Sequence, residues 1–160
     1  MKKYISLLLA GVMALSLVAC GQPSGAAEVQ CYEVEMVHAL AEGGVFSEEL
    51  EELDADIAFA LYVLADYGLT MKDLTEASVL RSSGATCEEA AVLVFTDIEK
   101  AKLAVSALES YVQNQIDSNV DYRPDEVPKL EDAVVSRAGH TLALVVANDV
   151  EKAKDILNIK

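Results

Sequence analysis

The chain has 160 residues, 52% of them hydrophobic, and carries 27 acidic against 12 basic side chains, a formal net charge of −15. Nucleic-acid binding takes its affinity from cations that displace phosphate counterions, and direct docking on anionic headgroups needs the same cations. The charge balance argues against both. It leaves cationic peptides, divalent ions and basic proteins electrostatically allowed, beside the plainer reading that the charge keeps a domain soluble.

Lys2 and Lys3 precede an apolar run from Tyr4 to Ala19 that ends Leu17-Val18-Ala19-Cys20-Gly21. A charged start, a short apolar core and small residues at the cut form a secretory signal. Cysteine directly after a Leu-x-Ala triplet predicts a lipoprotein signal peptide over residues 1–19 with lipidation at Cys20. The run is shorter than the roughly 20 apolar residues that a membrane-spanning helix needs. Two or three acyl chains anchor firmly, because each buried methylene adds roughly 0.8 kcal/mol. The expected location is therefore the extracytoplasmic face of the cell membrane, with the membrane reached through the N-terminal lipid. Cleavage removes two lysines and no acids, leaving 10 basic and 27 acidic residues and a net charge of −17.

Residues 20–30 contain Pro23, Ser24, Gly25 and two alanines, the composition of a flexible linker. Residues 31–160 have the size of one domain. Cys31 and Cys87 remain besides Cys20, in a compartment where a disulfide could persist; a bridge and two free thiols both stay open. No Cys-x-x-Cys spacing points to a zinc ribbon or a thioredoxin-type site.

Along the domain, Val34, Val37, Leu40 and Ala41 fall at helical spacing from Tyr32 to Ala41, and Gly43-Gly44 closes the helix. A second helix is predicted from about Ser47 to Gly68 on Leu50, Leu53, Ile57, Leu61 and Leu64, although 57–64 also fits a buried strand. From residue 76 the sequence repeats itself. Glu76–Arg81, a polar turn and Ala90–Phe95 lead into Thr96-Asp97-Ile98-Glu99-Lys100-Ala101-Lys102. Asp132–Arg137, a turn at Gly139 and Leu142–Ala147 lead into Asn148-Asp149-Val150-Glu151-Lys152-Ala153-Lys154. Each repeat helix opens with an Asx or Thr cap, and Glu99 and Glu151 follow the earlier candidates, Thr96 and Asn148, at capping-box spacing. Ile98, Ala101, Val105, Leu108, Val112 and Ile116 make one apolar stripe. Both second strands are apolar on both faces, as covered interior strands are. The expected fold class is α+β: two tandem ββα units forming a four-stranded, mainly antiparallel sheet covered by helices, preceded by N-terminal helices.

Several ordered pieces carry a family resemblance. They are Tyr67-Gly68-Leu69, Ser82-Ser83-Gly84-Ala85-Thr86 followed by Glu88-Glu89, Gln115 ahead of Tyr122-Arg123-Pro124-Asp125-Glu126, Leu130–Val135, and Gly139 with Ala143–Ala147. In their order and spacing the chain resembles the lipoprotein family catalogued as domain of unknown function 4358, found in clostridial-type Gram-positive bacteria. The resemblance spans roughly Tyr67 to Leu157 and implies a lipid-anchored envelope domain with no known activity. Residues 31–66 match less well, and Cys87 departs from the family pattern.

Chemistry leaves few traces. Glu35, His38 and Glu42 would share one helix face, but three ligands from so short a stretch need a fourth, so no metal site is assigned. The acidic run Glu48, Glu49, Glu51, Glu52, Asp54, Asp56 lacks the Asp/Asn ladder and central Gly of an EF-hand loop and is read as a solvated helix face. There is no Gly-x-Ser-x-Gly elbow, no Ser-x-x-Lys set and no glycine-rich phosphate loop. No catalytic residue and no cofactor is implied, and the reading leans away from an enzyme. Two binding candidates remain: the hydroxyl-rich hairpin with Ser82, Ser83 and Thr86, longer than its counterpart at Gly139, and Gln115 with Tyr122 where the long helix turns back. Tyr122 is expected to pack its ring on the core. The function expected is a non-catalytic binding module for a protein or peptide at the cell surface. Capture of a small ligand or divalent cation in a cleft between the repeat halves is the alternative, and an envelope hydrolase the third.

Overall fold

The computed structural model describes residues 31–159. The expected signal peptide over residues 1–19, the expected linker over 20–30 and the expected lipidation site Cys20 lie outside those residues. Strands β1 (Glu51–Glu52), β2 (Leu74–Arg81), β3 (Glu89–Phe95), β4 (Val134–Ala138) and β5 (Thr141–Val146) and helices α1 (Met36–Glu42), α2 (Ala55–Leu61), α3 (Ile98–Asn119), α4 (Val127–Glu131) and α5 (Val150–Ile156) follow in the order α1-β1-α2-β2-β3-α3-α4-β4-β5-α5. Short 3-10 turns cover Leu64–Tyr67 and Pro124–Glu126. All strands pair antiparallel in one open sheet ordered β1-β2-β3-β5-β4. The protein is α+β.

Alternation along β3 and β5 explains the layering. Ala91, Leu93, Phe95, Leu142, Leu144 and Val146 face one way, against Ala58 of α2, Leu130 of α4 and the alanines and Leu108 of α3. Ala90, Val92, Ala143 and Val145 face the other way, against Val37 and Leu40 of α1 and Ala153 of α5. Because successive side chains point to opposite faces, strands apolar at every position need cover on both sides. They receive it as helix, sheet, helix, with α3 and α5 on opposite faces.

Two expectations need correction. The sheet has five strands, not four, because Glu51 and Glu52 pair with Arg81 and Leu80 at its edge. The second helix does not run from Ser47 to Gly68. Its first part is spent on β1, whose neighbour Leu53 donates its N–H to the Val79 carbonyl at 2.9 Å. The helical remainder, Ala55–Leu61, ends at the Tyr62 cap, since Val63 takes a left-handed φ of +47°; the acidic run is therefore divided among the loop before β1, β1 itself and the cap and first turn of α2. At each helix start the structure uses the later of the two cap candidates. Asp97 and Asp149 accept from the Lys100 and Lys152 amides at 2.9 and 3.1 Å, which leaves Thr96 and Asn148 outside and Glu99 and Glu151 solvated in the first turn.

The long helix buries Ala101, Ala104, Ala107, Leu108, Tyr111 and Val112, while Ile98 is exposed. Its buried stripe is thus turned toward the alanines, which let it lie close to the sheet.

Candidate functional site

The polar side chains gather at one end of the sheet, around the hairpin that joins β2 to β3. Ser82 and Thr86 both donate their hydroxyls to one oxygen of Glu48 at 2.6 Å. The Ser82 oxygen also accepts the Gly84 and Thr86 amides at 3.1 and 3.0 Å, and the Thr86 oxygen accepts the Glu88 amide at 3.1 Å. These hydroxyls, Ser82 foremost, hold the Glu48 carboxyl below the usual glutamate range. Gly84 sits at a φ of +124°, open only to glycine, which lets the loop curl around Ser82.

Behind this loop Glu88 is fully buried. Its carboxylate accepts from the Ser47 amide at 2.7 Å, the Ser47 hydroxyl at 2.8 Å and Lys129 Nζ at 3.0 Å. Lys129 also reaches Glu126 at 3.0 Å, and Glu126 accepts the Cys87 amide at 2.8 Å. Arg123 closes the arrangement, donating from Nη1 to the Gly84 and Thr86 carbonyls at 2.9 and 3.2 Å and from Nε to Asn119 Oδ1 at 3.0 Å. The α3–α4 connection is thereby tied to the hairpin.

Glu89, the next residue, turns into the core beneath α3. Its carboxylate accepts from the Tyr62 hydroxyl, from the Tyr111 hydroxyl at 2.8 Å and from Arg81 Nε at 3.2 Å. The two tyrosine rings meet edge to face, 5.1 Å between centroids. Burial raises the Glu89 pKa, against the two phenol hydrogen bonds and Arg81, which pull it down. Burial followed by the Glu89 charge pushes both phenols well up, so they stay as donors.

The profile of the family described as Domain of unknown function (DUF4358) matches residues 63–147, more than half of the chain. The chain belongs to this family. No significant match was found among curated proteins or among solved structures. Within the DUF4358 segment, three of the sequence pieces named earlier, the Ser82–Thr86 hairpin, Glu88-Glu89 and Arg123–Glu126, lie together at this end of the sheet.

Of the predicted site residues, Ser82, Ser83, Thr86 and Tyr122 come together at this end. Gln115 lies two helical turns before Tyr122 and enters through its carbonyl, which accepts from Asn119 Nδ2 at 2.7 Å. Tyr122 does not pack on the core; it is 78% exposed, with the Arg123 guanidinium 5.5 Å from its ring centroid. Arg123 takes the inward place because its guanidinium satisfies loop carbonyls that a phenol could not reach twice. Sequence reasoning missed Arg123, Lys129, Glu88, Glu89, Tyr62 and Tyr111. The signal available was two adjacent acids opening an otherwise apolar strand.

Cys31 and Cys87 are free thiols at opposite ends of the sheet. Cys31 Sγ lies 3.8 Å from His140 Nδ1 in the β4–β5 hairpin, whereas Cys87 precedes β3 at its far end. A strand the length of β3 separates them by about 20 Å, too far for a disulfide. Among the described residues no group of three or more His, Cys, Asp or Glu side chains is placed to share a metal ion, Glu35, His38 and Glu42 included. β3 and β5 pair directly over six positions, from Glu89↔Val146 to Val94↔Thr141, so these two strands are not parted by a cleft. A concavity of about 740 Å³ lies instead at the Cys31 end, over Thr75, Phe95, Ile98, Lys100 and His140.

The two hairpin serines should separate cleanly. Ser82→Ala strips three hydrogen bonds from a buried oxygen and should cost about 1–3 kcal/mol, whereas Ser83→Ala, at an exposed position, should stay within about 0.5 kcal/mol. Urea unfolding of both variants checks this.

Proposed function

We propose that this protein is a lipid-anchored, extracytoplasmic binding module, attached through Cys20, that engages a protein or peptide partner with the tip formed by Tyr122, Arg123 and the Ser82–Thr86 hairpin. The domain is read as two ββα halves sharing one sheet, with the longer hairpin of the first half carrying the recognition surface. The observation that carries the reading is Tyr122: a large aromatic ring, 78% exposed, stacked on an arginine that three hydrogen bonds hold in place. Rigid aromatic and arginine side chains dominate the energetics of protein interfaces because little rotamer entropy is lost when they bind. The hydroxyls of Ser82 and Thr86 serve this surface indirectly, by fixing the loop, and Ser83 is the hydroxyl left to touch a partner.

The path of the chain supports the same assignment. Cys31, eleven residues after Cys20, packs at the His140 end of the sheet. The tip occupies the opposite end, so an anchor at Cys20 would present it away from the bilayer. Among the described residues no helix is long and apolar enough to cross a membrane.

Cys20→Ser should move the protein from the membrane to the soluble extracytoplasmic fraction. Retention in the membrane without lipid on the N-terminal residue would refute the anchor. Tyr122→Ala should lower the yield of chemically cross-linked complex in intact cells about tenfold or more, as loss of a hot-spot residue does, with thermal unfolding unchanged. An undiminished yield would exclude the tip.

A further inference from the structure

We propose that the outer edge of β4 accepts an extended, cationic segment of a partner protein as an additional strand. This inference does not rest on the tip. In the order β1-β2-β3-β5-β4, β4 is terminal and pairs only with β5. The turn between them has two residues, Gly139 and His140, with Ala138 opposite Thr141. In such a hairpin the closing pair exchanges both backbone hydrogen bonds and every second pair repeats it. Ala138, Ser136 and Val134 therefore bond inward to β5. Val135 and Arg137 turn their N–H and C=O groups outward. The far side of β5 keeps the same alternation, since the His140 carbonyl accepts the Phe95 amide at 3.0 Å.

Nothing among the described residues meets the four outward groups of Val135 and Arg137: no loop, cap or side chain bonds them. Proteins ordinarily blunt such an edge with proline, a bulge, an outward lysine or a very short strand. The opposite edge follows that rule, with a β1 of two glutamates. The β4 edge does not, for it holds no proline and its register with β5 runs unshifted over five pairs. Arg137, its single charge, bends back to the turn, where Nη1 donates to the Gly139 carbonyl at 2.6 Å. The edge is left as four backbone groups flanked by Val135 and Ser136, a template for strand addition.

Charge selects the occupant. The chain carries a net charge of −15, and Glu131 and Asp132 stand at the entry to β4. A second copy would bring a like field against this edge, whereas a segment bearing lysine or arginine is drawn to it.

The test uses the full chain and a blocked peptide of about seven alternating lysines and valines, long enough to pair with β4. Hydrogen exchange over Val134–Ala138 should slow at least tenfold when the peptide is added. The same peptide N-methylated at every residue, so that both of its edges are blocked, should bind at least tenfold more weakly, and a glutamate–valine peptide should not bind. Equal binding of the methylated peptide, unchanged exchange in β4, or a concentration-dependent dimer that protects β4 and excludes the peptide would each overturn the proposal. Because Tyr122→Ala leaves this edge intact, its effect on the tip is read separately.

Discussion

Glu89→Ala should destabilise the domain by about 3–5 kcal/mol, the range for removing one partner of a buried charged cluster. Glu89 is 2% exposed and Tyr62 fully buried. Truncation leaves the Tyr62 and Tyr111 hydroxyls without their acceptor, at about 1–3 kcal/mol for each buried unpaired group, and opens a small void under α3. Chemical denaturation measures the loss. Glu89→Gln keeps the volume and one acceptor oxygen and should cost less. It also exposes the sign of the pH dependence. Since burial raises the folded-state pKa of Glu89 above its ordinary 4.5, the stability it contributes is fully present below that value and is lost as pH rises through the raised folded value. The advantage of wild type over Glu89→Gln should therefore be largest near pH 4.5 and shrink toward neutrality. An advantage that grows with pH would show that the phenols and Arg81 outweigh burial.

The second large effect should come from Lys129→Met. Glu88 has no exposed side-chain surface, and Lys129 is its only cation among the described residues, at 3.0 Å. Removing the ammonium leaves a buried carboxylate held, among the described residues, by the Ser47 amide and hydroxyl, at a cost of about 3 kcal/mol. Adding Glu88→Gln should return part of it, because the uncompensated charge rather than the lost contact dominates. Raising salt should scarcely alter either value, since buried pairs are little screened. If Lys129→Met cost less than about 0.5 kcal/mol, the tie between α4 and the hairpin would be no support for the tip.

The sequence was most legible where packing alone decides structure. The apolar runs Ala90–Phe95 and Leu142–Val146 announced covered central strands, and Gly43-Gly44 and Gly139 announced turns, because period and turn chemistry are local signals. Ser47–Gly68 misled for a physical reason: its leucines keep helical spacing, yet Glu51 and Glu52 pair with a strand edge nearly thirty residues away, and no local window contains that partner. The hydroxyl-rich hairpin and Tyr122 were legible as candidates, but their roles were inverted. Ser82 and Thr86 are consumed inside the loop, and the aromatic ring expected in the core is the exposed one. What decided this was Arg123 reaching the Gly84 and Thr86 carbonyls, a contact between residues nearly forty apart. Glu88 and Glu89 passed as two acids among many, since burial, which gives them their meaning, is a property of the fold.

The most direct test of the binding tip is site-specific photocrosslinking in intact cells, with the photoreactive residue placed at Tyr122 and, as a control, at Glu109 on the exposed side of α3. The tip assignment predicts one discrete crosslinked protein or peptide species from position 122 and none from position 109. No species from 122, or the same species from both positions, would contradict it.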